Sequence, residues 1–186
     1  MMTDEELYIR FTRGHNDALD ELLVRYKNDL TLFLYALVGD MNDAEDLMMD
    51  SFALILSKRG NFLGKSSFKS WLYGIGRNLA RNHMRKCSAV PSGDEIDLLA
   101  GDAGSEFVLS LFEEERNRKL YAAMYELPAD YMTVLYLLFF EDMSIREISA
   151  AMKKNDKQIY NLISRAKVRL REILKNSEDF NELLSV

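Results

Sequence analysis

The sequence predicts an all-α protein, built as two small helical domains that are joined by an acidic linker. Apolar residues recur at helical spacing along nearly the whole chain, and no alternation of useful length indicates a β-strand. Only two of the 186 residues are proline and nine are glycine, so we expect long helices with short breaks. A content of 48% hydrophobic residues is enough for globular cores, in one domain or in two small ones.

Three helices are predicted in the first domain. The first ends at Gly39, and its apolar stripe consists of Leu19, Leu22, Leu23, Tyr26, Leu30, Phe33, Leu34 and Leu37. The second is capped by Asn42 or Asp43, and its buried face is predicted to contain Leu47, Met48, Phe52, Ile55 and Leu56. After a break at residues 60–64, the third runs from near Ser67 to about Lys86. Its expected inner stripe is Trp71 or Leu72, with Ile75 and Leu79, while Arg77, Arg81 and Arg85 follow another side.

Residues 88–104 are rich in Ser, Gly, Pro and Asp, which is typical of a linker. Helical periodicity resumes at Phe107 and continues to Leu127, and Pro128 can start the next helix. Core candidates in that helix are Val134, Leu135, Leu137 and Leu138. The predicted limits are therefore a first domain at residues 1–88, a linker at 89–105, a second domain at 106–176 and a tail at 177–186.

The second domain is predicted to end in a helix-turn-helix. Ser144 and Glu147 have capping-box spacing, and the short helix that they open ends around Met152. Asn155 can cap the next helix, whose expected buried residues are Ile159, Leu162 or Ile163, Ala166, Leu170 and Ile173. Residues 157–175 contain six basic residues and one acidic residue, a balance that suits a helix in the DNA major groove. Helical hairpins are also common packing units, so the shape alone leaves DNA binding open.

Charge is distributed in large opposed blocks. The net charge of −6 combines −8 for residues 1–50, +8 for residues 51–93, −8 for residues 94–115 and +2 for the rest. The basic block has no Asp or Glu and is interspersed with Phe62, Phe68, Trp71 and Tyr73. Aromatic side chains beside a cationic track are typical of proteins that bind single-stranded nucleic acid. A solvated charged face is the alternative interpretation.

Several classes of function receive no support from the sequence. Cys87 is the only cysteine, and His15 and His83 are isolated, so we predict no metal site and no cofactor. There is no Gly-rich phosphate loop and no nucleophile–base pair that would indicate an enzyme. No apolar run is long enough to span a membrane, and the amino terminus lacks the basic residues with which a signal peptide begins. We therefore expect a cytoplasmic protein without membrane insertion.

Three segments in order resemble bacterial RNA polymerase sigma factors of the small extracytoplasmic-function group. Residues 43–52, DAEDLMMDSF, resemble the region 2 helix that grips the clamp helices of the largest polymerase subunit. Residues 68–82, FKSWLYGIGRNLARN, resemble the helix that opens and reads the promoter −10 element. Leu127-Pro128 and residues 144–170 resemble region 4, which binds the −35 element. The resemblance covers most of residues 15–175.

The resemblance implies partners and site residues. The partners would be promoter DNA and core polymerase, through the clamp helices and the flap of the second-largest subunit; an anti-sigma factor stays an open possibility. Core polymerase would be bound by Asp46, Leu47, Met49, Asp50 and Phe52. The −10 element would be bound and melted by Phe62, Lys65, Ser66, Phe68, Lys69, Trp71, Arg77, Asn78, Arg81, Asn82, Arg85 and Lys86. The −35 element would be bound by Lys157, Gln158, Tyr160, Asn161, Ser164, Arg165, Lys167 and Arg171.

The chain departs from the family pattern at a few positions. Met49 stands where Gln is usual, Gly76 where Ala is usual, and Lys153 where Gly commonly closes the turn. The predicted function is promoter recognition and DNA melting together with core polymerase, without catalysis. The alternative is a helix-turn-helix regulator that acts without polymerase. A more distant rival is a helical hydrolase that binds metal through Glu45, Asp46 and Asp50.

Overall fold

The computed structural model describes residues 2–89, 120 and 122–176, and the regular elements within them are helices. This confirms the all-α prediction. The chain divides into two compact units, one of residues 1–98 and 149–153 and one of residues 99–148 and 154–186. The predicted linker at residues 89–105, the helix from Phe107 and the tail at residues 177–186 involve residues outside the described ones. Their limits stay predictions.

Helix α1 (Asp4–Thr12) starts with a capping box that the sequence analysis missed. Thr3 Oγ1 accepts a hydrogen bond from the Glu6 amide, and the Glu6 carboxylate accepts one from the Thr3 amide. Asp4 then ties α1 to the next helix, because its carboxylate accepts hydrogen bonds from Arg25 Nη1 at 2.8 Å and from the Tyr26 hydroxyl. Burial raises the pKa of the Tyr26 hydroxyl, and Asp4 raises it further, so this hydroxyl remains a donor.

Helices α2 (Asp17–Val38) and α3 (Met41–Ser57) pack against each other and are separated by a tight turn. Gly39 ends α2 with φ of 81°, a left-handed conformation that glycine adopts without steric cost, as predicted. Asp40 caps α3, since its carboxylate accepts from the Asp43 amide at 2.9 Å. The predicted caps Asn42 and Asp43 are therefore wrong. Asp40 has the extended backbone of a cap, and Asn42 and Asp43 already lie inside the helix.

Helix α4 (Phe68–Ala89) packs on α2 and α3 and completes the first unit. The stripe predicted for it is only partly right, because Leu72 is buried whereas Trp71, Ile75 and Leu79 are half-buried. The face that α4 buries is instead formed by Phe68, Leu72, Tyr73, Gly76, Arg77 and Ala80.

Gly76 lies where α4 comes closest to α2. A Cβ atom at this position would lie 3.2 Å from Leu30 Cδ1 and 3.4 Å from Leu34 Cδ2. Both leucines are fully buried, so little room exists for their side chains to move away. Close helix packing therefore accounts for glycine at this position.

The second unit contains helical residues 122–125 and helices α5 (Ala129–Phe139) and α7 (Asp156–Asn176), whereas helix α6 (Ile145–Met152) has its first residues in this unit and residues 149–152 in the first. Pro128 directly precedes α5, and α5 packs against α7. Within α5 three of the four predicted core residues, Val134, Leu135 and Leu137, are buried, and Leu138 is half-buried. Among the residues that the structure describes, no helix is both long and apolar enough to cross a membrane.

The two capping residues predicted for the helix-turn-helix are confirmed. Ser144 and Glu147 form a reciprocal box at the start of α6. Asn155 Oδ1 accepts from the Gln158 amide, and Gln158 Oε1 accepts from the Asn155 amide, both at 2.9 Å. The turn between α6 and α7 includes Lys153 with a φ of 53°, which is a strained conformation for a residue with a side chain.

The buried face of α7 settles the alternative that the sequence left open. Ile163 is buried and Leu162 only half-buried, so the inner stripe contains Ile159, Ile163, Ala166, Leu170 and Ile173. The polar and charged side chains of the helix are left on its outer side.

Candidate protein and nucleic-acid interfaces

The outer face of α3 carries acids and exposed apolar side chains together. Asp46 and Asp50 are exposed, and Met49 between them exposes 55% of its surface. Leu56, which the sequence analysis placed in the core, is 51% exposed. It follows Met49 by seven residues, which is two helical turns, so both side chains lie on the same face.

Two residues predicted to bind core polymerase are not on this face. Leu47 is 6% exposed and Phe52 is 5% exposed, and both belong to the buried side of α3. They were predicted because the matched motif was taken as a continuous run. A helix turns by about 100° per residue, so a run of ten residues passes through the core as well as the surface. Both side chains therefore pack inside the first unit, and their contact with core polymerase stays a prediction.

The segment between α3 and α4, residues 58–67, is a loop that has both exposed and half-buried side chains. Lys65 is exposed, whereas Phe62 and Ser66 are half-buried. Gly60 adopts a φ of 89°, where a side chain would be strained. Leu63 is 73% exposed and was missed by the sequence analysis. An apolar residue in a polar, glycine-flanked loop was the signal that could have identified it.

The aromatic residues near this segment form a cluster with α1. The Trp71 ring is half-buried and lies 5.2 Å from the Phe62 ring, 5.5 Å from the Tyr8 ring and 5.9 Å from the Phe68 ring. Phe68 is fully buried, so its ring offers no exposed surface here, and its −10 contact stays a prediction. It is the first residue of α4 and points into the core between α1 and α2. Phe62 and Trp71 are half-buried and so remain partly exposed.

The cations of α4 are divided between its inner and outer sides. Arg81, Arg85 and Lys86 are exposed, as is Asn82, and Asn78 is half-buried. Lys69 is half-buried, with its ammonium group 5.9 Å from the centre of the Tyr73 ring. Arg77 is only 3% exposed, which contradicts its placement in an outer row with Arg81 and Arg85. Each step of four residues rotates the side chain by about 40°, so a row that starts on the inner face becomes exposed within two steps.

The outer side of α7 presents the residues that were predicted to bind the −35 element. The exposed members are Lys157, Gln158, Tyr160, Asn161, Ser164, Arg165, Lys167 and Arg171. Gln158 is exposed, but its side-chain oxygen is already used as the cap acceptor for Asn155. Val168 is 52% exposed on the same side. The arrangement offers hydrogen-bond donors, cations and one apolar contact along a single helix.

In residues 2–89, 120 and 122–176, no group of three or more His, Cys, Asp or Glu side chains is arranged to hold a metal ion. The acids that the hydrolase alternative requires, Glu45, Asp46 and Asp50, are included in that range.

The fold and the two surfaces define a class of protein, an all-α transcription factor with a helix-turn-helix and a separate aromatic-basic helix. Comparisons with known families give the same class for both units. Residues 22–89 match sigma-70 region 2, and residues 117–170 match sigma-70 region 4.

Curated relatives and solved structures agree with these matches. The RNA polymerase sigma-H factor of Pseudomonas aeruginosa is 28% identical over 159 residues, which are 81% of this chain and 82% of the relative. The ECF RNA polymerase sigma-E factor of Haemophilus influenzae is 28% identical over 94% of this chain and 95% of its own. The sigma factor RpoE of Bartonella quintana, solved with the anti-sigma factor NepR, has a TM-score of 0.69 and 25% identity over 86% of this chain and 98% of its own.

The fold of CnrH, solved with the cytosolic domain of CnrY, is also shared. Its TM-score is 0.71, with 20% identity over 94% of this chain and 99% of that chain. The chain belongs to the sigma-70 family, in its extracytoplasmic-function group, and directs promoter-specific transcription initiation.

Proposed function

We propose that this sigma factor uses two oppositely charged faces of its first unit, one for polymerase and one for promoter DNA. The observation that supports this division is the location of the exposed charges. Asp46 and Asp50 face outward from α3, whereas Arg81, Arg85 and Lys86 face outward from α4. An acidic face suits a basic protein surface, and a cationic face suits phosphates.

The acidic face would bind the clamp helices of the largest polymerase subunit. Met49 and Leu56 provide exposed apolar area, and Glu45, Asp46 and Asp50 surround Met49 with carboxylates. Protein interfaces commonly combine an apolar centre with a polar rim in this way. Met49 takes the place of the usual glutamine, so this contact would rely on packing where relatives use a hydrogen bond.

The cationic face and residues 58–67 would capture the −10 strand after the duplex opens. Phe62 and Trp71 offer ring surface on which an unstacked base can pack, and Lys65, Arg81 and Arg85 lie where they can follow the backbone. Ser66, Lys69, Asn78, Asn82 and Lys86 extend the same surface, and we keep them as proposed −10 contacts. Arg77 and Phe68 would support this surface indirectly, by packing on the buried side of α4.

Helix α7 would read the −35 element in the major groove. Tyr160, Asn161, Ser164 and Arg165 are exposed on its early and middle turns, which reach base edges in helix-turn-helix docking. Lys157, Lys167 and Arg171 would contact phosphates. Gln158 would contribute mainly as a cap.

Other partners follow from the family. We propose that the second unit also contacts the flap of the second-largest subunit. We further propose an anti-sigma factor as a regulator, because the RpoE relative was solved with one. Acting with polymerase in the cytoplasm, the protein would work by binding and not by catalysis.

The test of the polymerase contact is a double charge reversal on α3. Asp46→Lys with Asp50→Lys should lower affinity for core polymerase by about 2–5 kcal/mol, the usual effect of losing desolvated charge pairs at an interface. Circular dichroism should show an unchanged helix content, because both side chains are exposed. Asp20→Lys with Asp29→Lys is the matched control, since it makes the same charge change on exposed positions of α2.

Equal polymerase affinity in the α3 reversal and the α2 control would remove the assignment of α3. Run-off transcription with reconstituted holoenzyme then tests promoter use. The polymerase-independent alternative predicts footprints on duplex promoter DNA without polymerase, and none of the findings above favours it.

A further inference from the structure

Helix α1 packs against the segment of residues 58–67 and contacts it, or the residue that follows it, through three of its side chains. Glu5, Tyr8 and Phe11 are spaced by three residues, so they lie on one side of the helix. Each of them contacts a different part of the chain between the end of α3 and the first turn of α4. The match to sigma-70 region 2 begins at residue 22, after the end of this helix.

The middle contact is made by the Tyr8 hydroxyl, which accepts two backbone hydrogen bonds. Its donors are the Gly60 amide at 3.0 Å and the Phe62 amide at 3.3 Å. A phenolic oxygen has two lone pairs, so it can accept both bonds at once. Tyr8 is 2% exposed, and its ring also lies 5.3 Å from the Phe62 ring and 5.5 Å from the Trp71 ring. One buried side chain thus supports both rings that are proposed to meet the base.

Glu5 makes the contact at the far end of the segment. Its Oε1 atom accepts a hydrogen bond of 2.9 Å from the Phe68 amide. This amide belongs to the first residue of α4, where the helix itself supplies no acceptor. A carboxylate at this position also interacts favourably with the positive end of the helix dipole. The start of α4 is therefore fixed by a residue that precedes it by 63 positions.

The contact at the near end involves Arg59. Its guanidinium carbon lies 4.3 Å from the centre of the Phe11 ring, and its Nη2 atom donates a 2.7 Å hydrogen bond to Asn16 Oδ1 just after α1. Between the two anchored ends, Leu63 and Lys65 are exposed. The backbone is held from one side while these side chains face outward.

We propose that α1 is a positioning element for −10 recognition, with Tyr8 and Glu5 as its positioning residues. They touch no DNA themselves; they fix the backbone of residues 58–67 and the start of α4 so that Phe62 and Trp71 are presented in one geometry. This inference rests on the proposed −10 function of that surface. Without the anchors the segment samples other conformations, and affinity for the strand falls with the fraction that remains competent.

The main test is Tyr8→Phe, which removes the accepting oxygen and keeps the ring. Holoenzyme that carries this variant should form open complexes about tenfold less well on duplex promoters and should show a relaxed preference at individual −10 positions. Core-polymerase affinity should remain within about twofold, because α3 is not touched by Tyr8 OH. The measurements are run-off transcription from a library randomised at the −10 element and titration of core polymerase.

Tyr26→Phe is the matched control. It also removes one phenolic oxygen of the first unit, but that oxygen binds Asp4 and not the segment. Its thermal stability should fall, while its −10 profile should equal that of the wild type. Measurements are made at a temperature at which circular dichroism shows every variant to be folded.

A second pair keeps the proposal testable if Tyr8→Phe does not fold. Glu5→Gln retains an oxygen that can accept from the Phe68 amide, whereas Glu5→Ala does not, so only Glu5→Ala should relax the −10 profile. The role of α1 is overturned if both Glu5 variants and Tyr8→Phe keep the wild-type profile, or if Tyr26→Phe changes the profile as much as Tyr8→Phe. A wild-type profile with no preference at any −10 position would instead show that the proposed function has failed.

Discussion

Replacing Trp71 with alanine tests whether the exposed edge of the aromatic cluster captures DNA. The Trp71 ring contacts Phe62, Tyr8 and Phe68 at centre-to-centre distances of 5.2–5.9 Å, yet it is only half-buried. It therefore has two possible roles in one side chain. The inner edge stabilises the unit, and the outer surface is available to stack on a base.

The structure sets the size of both effects. Removing a fully buried tryptophan costs about 3–5 kcal/mol, so a half-buried one should cost roughly 2 kcal/mol of folding free energy. Loss of one stacking platform should weaken strand binding by about 1–3 kcal/mol per base. The two effects are similar in size, so activity on a single template cannot separate them. The folding effect acts on every template equally, whereas the stacking effect depends on whether the strand must first be opened.

The assay compares open-complex formation on a duplex promoter and on the same promoter with a pre-melted −10 bubble. We expect Trp71→Ala to be impaired on the duplex and much less impaired on the bubble. Phe68→Leu is the control, because Phe68 belongs to the same cluster but is fully buried. It should lower stability and affect both templates equally. Equal impairment of Trp71→Ala on the two templates would refute the reasoning and make Trp71 a core residue only.

Three further predictions concern α7, α4 and the turn before α7. Asn161→Ala and Arg165→Ala should each relax the preference at individual −35 positions by about 1–3 kcal/mol, whereas Arg171→Ala should weaken binding to all promoters nearly uniformly. Transcription of a library randomised at the −35 element checks this. Identical sequence profiles for the wild type, Asn161→Ala and Arg165→Ala would mean that α7 reads DNA through another face. Gly76→Ala should change the free energy of unfolding by less than about 1 kcal/mol, because the higher helix propensity of alanine offsets its tight contact with α2. The branched side chain of Gly76→Val should lower the free energy of unfolding by about 2 kcal/mol or more, as thermal unfolding can measure. Lys153→Gly should stabilise the protein by roughly 1 kcal/mol in urea titrations, since it relieves the positive φ, and a destabilised variant would show that the lysine side chain contributes more than the strain costs.

Much of the architecture could be read from the sequence because its signals are local. Ser144 with Glu147 and the cap at Asn155 act within three residues; the first was predicted from its spacing and the second from an asparagine at the turn before α7. The outward side of α7 followed from its periodicity, and only the choice between Leu162 and Ile163 stayed open. The family resemblance added the proposed partner of each surface, which composition and periodicity do not supply.

Sequence and structure differ most where one helical turn separates the buried side of a helix from its exposed side. Arg77, Phe68, Leu47 and Phe52 were assigned to interfaces because they belong to motifs, but each lies on the buried side of its helix. A motif gives residue types and spacing. It does not give the rotation of the helix about its axis, which depends on the helices packed around it.

The sequence by itself determined that this protein is helical, that its charges are segregated and that it contains a helix-turn-helix, because propensity, capping and periodicity act over one or two turns. Only the tertiary structure showed that α1 holds the segment after α3. Tyr8 meets Gly60 and Phe62 across more than fifty residues, and Glu5 caps a helix that starts at Phe68. No local rule connects such positions, because the contacts form only when the packing of three helices brings them together.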